Sequence, residues 1–140
     1  MKLVKKSPVM LKITGLIITL FLGACAGVAV QPESLGDRAQ ARWDALLAQD
    51  FEKAYSYLSP GYRSSVSSRD FEIGFLLRRV GYTSAEYIDS ECQNDACDVS
   101  MKIGYMIIAP LRGVNVWNSK TTIEEKWIRI DNQWWHLPKK

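Results

Sequence analysis

Between Cys97 and Ile107 the chain alternates with a period of two. Cys97, Val99, Met101, Ile103, Tyr105 and Ile107 share one face, while Asp98, Ser100, Lys102 and Gly104 share the other. That pattern is the mark of an extended strand with one face buried. It therefore sets the reading of the segments around it. Tyr82 to Cys92 reads as its hairpin partner, across a turn centred on Asn94-Asp95. Thr121 to Ile130 reads as a third strand and Gln133 to Leu137 as a fourth, with their turn at Asp131-Asn132. A longer connection, Ala109 to Lys120, carries Leu111, Val114, Val116 and Trp117.

Upstream of Tyr82 the apolar period is helical. A first helix starts near Ser34 or Asp37 and runs to Gln49, with Leu35, Ala39, Trp43, Leu46 and Leu47 on one face. Asp50 is an N-cap for a second, whose inward positions are Phe51, Ala54, Tyr55 and Leu58; Ser59-Pro60-Gly61 ends it. Ser64 to Ser68 reads as a polar loop. Ser67 and Asp70 form a capping-box-like start for a third helix. Its apolar positions are Phe71, Ile73, Phe75, Leu76, Leu77 and Val80, with Gly81 as its stop. Three helices followed by a curved antiparallel sheet of about four strands make an α+β chain.

The N-terminus has a different character. Lys2, Lys5, Lys6 and Lys12 precede an apolar run, Ile13 to Leu22, which ends in Leu22-Gly23-Ala24-Cys25. A basic start and a short apolar core ending in small residues read as an export signal. The last four residues resemble the lipobox of bacterial lipoproteins. The resemblance implies cleavage before Cys25 and lipidation of that cysteine, with two or three acyl chains making a lasting membrane anchor. Residues 1–24 are then signal, 25–33 a lipidated tether and 34–140 the folded domain. Ala26, where a retained inner-membrane lipoprotein often has Asp, leans toward the outer membrane facing the periplasm in a Gram-negative cell. The signal holds four of the 18 Lys and Arg and none of the 15 acids, so the mature chain carries 14 bases against 15 acids. That balance leaves no electrostatic footprint for nucleic acid.

Cys25 accounts for the odd one of three cysteines. With a two-residue turn at Asn94-Asp95, Cys92 and Cys97 face each other at a non-hydrogen-bonded pair, where side chains lie closest. A disulfide fits there in an oxidising compartment, and two buried thiols are the plain alternative. The single histidine, His136, is remote from both, so no metal site is expected, and no cofactor motif stands out.

The run from Arg42 through Trp43-Asp44-Ala45-Leu46-Leu47 and Phe51-Glu52-Lys53-Ala54-Tyr55 to Pro60 resembles the opening helices of nuclear transport factor 2-like domains. Trp127-Ile128-Arg129-Ile130-Asp131-Asn132-Gln133-Trp134-Trp135 resembles their last hairpin, with Asn132 where glycine is usual. The resemblance spans about residues 35–138. It implies a cone with an internal pocket, used in that family by ketosteroid isomerase, scytalone dehydratase, polyketide cyclases and many accessory domains. Catalysis in such a pocket needs a carboxylate or histidine beside a hydrogen-bond donor. Glu125 and His136 are the candidates, and a two-residue turn puts both on the face of Trp127; a bulge there would turn His136 away. Their ordinary readings are a solvated strand charge and a packing residue. Aromatic richness points instead to binding, with Tyr55, Tyr105, Trp117, Trp127 and Trp134 as ligand or partner contacts. Trp134 and Trp135 face opposite sides of one strand, so a homodimer through the sheet is an expectation. The sequence therefore leans to a lipid-anchored, non-catalytic binding or accessory protein for a small apolar ligand or a protein partner. A small lyase or isomerase is the alternative.

Cys25→Ser is expected to abolish labelling by a fatty-acid probe and to leave an unprocessed or soluble product. Normal labelling of that variant would remove the anchor.

Overall fold

Ser34, Asp50, Ser59 and Ser67 each open a helix by accepting a backbone N–H three residues on, which satisfies one of the free donors of a first turn. The computed structural model describes residues 33–107 and 116–139; Cys25 and the rest of the expected signal and tether up to residue 32 lie outside them. Among the described residues there are four helices: α1 (Leu35–Leu47), α2 (Phe51–Ser56), α3 (Pro60–Arg63) and α4 (Ser68–Leu76). The expected count was three. The extra helix arises because Pro60 occupies its first turn, where a missing N–H costs nothing. Ser59-Pro60-Gly61 thus ends α2 and starts α3. The last helix stops four residues short of Val80, with Leu77 as its C-cap.

Four strands follow: β1 (Gly81–Gln93), β2 (Ala96–Ile107), β3 (Trp117–Ile130) and β4 (Gln133–Leu137), paired antiparallel in chain order. β3 begins earlier than expected. Trp117 pairs with Ile107 and Lys120 with Gly104, so residues 117–120 extend the ladder and are not loop. Asp131 and Asn132 have φ of 50° and 61°, the left-handed pair that a two-residue hairpin requires. At the other hairpin Gln93 pairs with Ala96, and a disulfide joins Cys92 to Cys97. A bulge at Thr83 sets the hydroxyls of Thr83 and Ser84 against Gly104, where a Cβ would collide with both.

The helices cover one face of the sheet. Cys97, Val99, Met101 and Ile103 are buried against Leu35, Ala39, Trp43 and Leu46 of α1, with Trp127 completing the core. The outer face holds the Lys126–Asp98 ion pair, and Arg129 pairs with Asp95 at that end. Part of each sheet edge is occupied. On β1, the Gln40 amide donates to the Ala85 carbonyl (3.1 Å) and accepts from the Tyr87 N–H (2.9 Å). Beside β4, Leu58 forms a parallel bridge to His136. Such cover keeps edge strands from pairing with other chains. α4 is the exception to good burial: none of its residues is buried, and Ile73, Leu76 and Leu77 are exposed where the helical pattern had placed them inside.

The disulfide closes a very short loop, so its loss is expected to cost only about 2 kcal/mol. Urea unfolding with and without reductant checks this. Mass spectrometry of freshly isolated, non-reduced protein should find Cys92 joined to Cys97, and free thiols at both would refute the link.

Candidate functional site

A cavity of about 340 Å³ opens between α1, α4 and the inner face of β3 and β4. Trp43, Phe71, Phe75 and Tyr82 give it aromatic walls, and exposed Asp70 and Arg78 stand at its rim. The rings contact one another: Trp43 meets Tyr82 edge-on at 5.3 Å, and Phe75 lies 5.4 Å from Tyr82. Arg42, Glu125 and His136 also line this cavity, and all three are buried.

The hairpin register decides that arrangement. Trp127 pairs with His136, and strand alternation puts Glu125 on the same inward face. Glu125 is 6% exposed. Arg42 Nη1 and Trp43 Nε1 each donate to its Oε1 at 2.9 Å, and Trp127 Nε1 donates to its Oε2 at 3.2 Å. A carboxylate taken from water needs a paired charge and hydrogen bonds, and these three donors supply them. Flanked by Glu124 and Lys126, Glu125 looks solvated in sequence; two of its three partners come from α1, more than eighty residues away.

His136 is held by its backbone. Its N–H donates to the Tyr57 carbonyl (2.9 Å), and its carbonyl accepts from Ser59 N–H (2.8 Å). Burial, and then the neighbouring Arg42 charge, push its pKa down to about 2. The ring is therefore neutral at physiological pH. Its Nε2 lies 3.9 Å from Glu125 Oε1, too far for a hydrogen bond and, with the ring neutral, not an ion pair. Its Nδ1 is buried without a protein partner, as is Arg42 Nε.

The other sequence candidates are spread over the molecule. Trp127 is fully buried beside His136. Tyr55 donates to the carbonyls of Arg63 and Val66, which ties α2 to the segment before α4. Tyr105 is half-buried opposite Tyr82. Trp134 packs on the core beneath Arg129, and Trp135 lies under Arg38 and Arg63. Trp117 is 63% exposed at the start of β3, away from the Glu125 cluster. Sequence reasoning passed over Arg42 as a site residue. Its spacing from Leu35, Ala39 and Leu46 puts it on the apolar stripe of α1, and a charge on such a stripe signals a buried partner.

The depressed His136 pKa has a definite consequence for stability. Its contribution is complete above the unfolded value of about 6.5 and is lost as pH falls toward 2, by up to about 1.4 kcal/mol per pH unit. Unfolding free energy should thus fall between pH 7 and pH 5, and His136→Gln should flatten that slope. Ring NMR signals that titrate near pH 6.5 in the folded protein would contradict this.

No protein-family model and no curated protein matches the chain in sequence. Solved structures are similar in fold. A SEC-C motif-containing protein from Rhodopseudomonas palustris superposes with a TM-score of 0.57 at 10% identity, over 75% of this chain and 76% of that one. A second, from Psychrobacter arcticus, gives 0.57 at 12% identity over 80% of this chain and 63% of that one. A proposed dehydratase of the nuclear transport factor 2-like family from Streptomyces avermitilis gives 0.49 at 10% identity, over 74% and 92%. At such identities the likeness concerns fold alone: an α+β chain of four helices on a four-stranded antiparallel sheet.

Proposed function

We propose that this chain is an exported, lipid-anchored protein of the nuclear transport factor 2-like type, whose cavity binds a small, largely apolar ligand without turning it over. One observation carries the choice against catalysis. Both oxygens of Glu125 are engaged by Arg42, Trp43 and Trp127, and His136 has a pKa of about 2. A general base works best with a pKa near the operating pH, which His136 does not offer, and both Glu125 oxygens already accept hydrogen bonds. Binding has more support. The cavity volume falls in the range of small-ligand sites, and its lining mixes the aromatic walls with charged groups, among them Asp70, Arg78, Glu124 and Lys126. The lipid anchor rests on the Leu22–Cys25 motif. The alternative, a small lyase or isomerase, needs Glu125 released from Arg42.

Gly74 gives a clean test. It lines the cavity, and a Cβ there would meet nothing within 4 Å. Gly74→Leu should therefore fill the mouth without strain and should favour the helix by about 1 kcal/mol. The wild-type protein should bind the apolar fluorophore N-phenyl-1-naphthylamine saturably with one site per chain. Gly74→Leu should weaken binding at least about tenfold, since a ligand and a leucine cannot share the space. Equal binding by both would overturn the cavity as the site. Variants of Glu125 are poorer probes, because they leave Arg42 buried and unpaired.

A further inference from the structure

Large exposed apolar side chains gather at one end of the sheet. Gly81 pairs with Met106, and Ile107 with Trp117, so the start of β1, the end of β2 and the start of β3 form one row. Ile107, Val116 and Trp117 are exposed there, Trp117 by 63%. The end of α4 stands beside them, since Phe75 stacks on Tyr82 and Arg78 donates to the Tyr82 hydroxyl. Leu76 and Leu77, 55% and 76% exposed, add to the same end. The charge there has one sign. Residues 73–85 contain Arg78 and Arg79 and no acid, and residues 116–123 contain Lys120 and no acid. The opposite end, around the two short hairpin turns, carries Glu91, Asp95, Asp98 and Asp131 against Lys126 and Arg129.

We propose that the end of the sheet bearing Leu76, Leu77, Ile107, Val116 and Trp117 docks on an anionic lipid bilayer. A tryptophan and aliphatic side chains beside arginines match the chemistry of the bilayer interface, and the acidic end points away from a surface it would be repelled by. A second copy of the chain fits less well. A two-fold contact would bring this patch against itself, Arg78 and Arg79 included, and interface cores are depleted in charge. Chain length agrees with the bilayer. α1 runs along β1 from Gly36, packed near Tyr87, to Trp43, packed on Tyr82. Ser34 is therefore about 14 Å along the helix axis from the level of the docking end. On the reading that Cys25 is lipidated, residues 25–33 reach about 30 Å. Such a leash keeps the patch at high effective concentration near the surface, so weak docking suffices.

The full chain reconstituted in phosphatidylethanolamine–phosphatidylglycerol vesicles with brominated upper acyl chains tests this. Tryptophan emission should be quenched, and Trp117→Phe should lose most of the quenching. Arg78→Gln with Arg79→Gln should lower the docked population about tenfold or more, as should replacing phosphatidylglycerol with phosphatidylcholine. Equal quenching in wild type and Trp117→Phe would overturn the proposal. So would shielding of Trp117 from acrylamide without bromine quenching in a chain that sediments as a dimer, which would make this a protein interface. Fatty-acid labelling of Cys25 is read on the same sample. A labelled, vesicle-bound chain with unquenched Trp117 overturns the docking face and leaves the anchor standing. An unlabelled chain with quenched Trp117 does the reverse.

Discussion

The ion pair between Arg42 and Glu125 is the constraint on which the inner face depends. Both side chains are more than nine-tenths buried. Removing two charges from water costs several kcal/mol each, and only close pairing with added hydrogen bonds offsets it. Trp43 and Trp127 supply those bonds from one helix and one strand. The cluster therefore does more than join α1 to β3. It fixes which face of β3 is inward, because a one-residue slip would expose Glu125 and strand Arg42 among apolar groups. It also acts on His136, since the Arg42 charge reinforces the burial that keeps that ring neutral. Losing one partner would leave a bare buried charge, a change that typically costs about 3–5 kcal/mol.

Around this cluster, backbone groups are closed by unlike devices. Gln40 uses a side-chain amide as a substitute peptide along β1. The segment from Tyr57 to Ser59 uses real peptides along β4. Arg38 serves the same end of the fold: its Nε donates to the Trp134 carbonyl at 2.8 Å, and its guanidinium lies over Tyr57 and Trp135. Among the described residues, six of the nine large exposed apolar side chains lie on α4 and its cap or at the Trp117 end, with Ile88, Ile130 and Leu137 elsewhere.

The parts of the fold legible in sequence are those governed by near neighbours. The alternation of Cys97–Ile103 gives the buried face of β2 directly. Ser34, Asp50 and Ser67 cap helices three residues ahead, and the turn at Asp131-Asn132 sets the pairing of Trp127 with His136. The parts that were not legible depend on distant partners or on competing local rules. Glu125 has the local look of a surface charge, and its ion-pair partner lies on α1, far away in sequence. Ser59-Pro60-Gly61 carries both a stop and a start, and the start builds α3. Leu76 and Leu77 obey the helical pattern of a buried face, yet the helix ends beneath them, with Leu77 as its cap. Trp117 falls within the long Ala109–Lys120 connection in sequence, but the ladder with β2 runs far enough to include it.

The inner face and the exposed end meet through α4. Phe71, Gly74 and Phe75 line the cavity, while Ile73, Leu76 and Leu77 of the same segment face solvent. A helix of nine residues with no buried side chain is held by few contacts, and elements of that kind open at low free energy. Burying its outer leucines in a lipid interface would supply apolar contact that the core does not. The same contact would act on the helix that carries Gly74 and Phe75, two of the residues lining the cavity. Where docking moves that helix, the effect of docking on ligand affinity and the effect of ligand on docking are equal in size and sign. A ligand that partitions into the bilayer would meet the cavity where the domain is held. A water-soluble ligand would gain nothing from the arrangement.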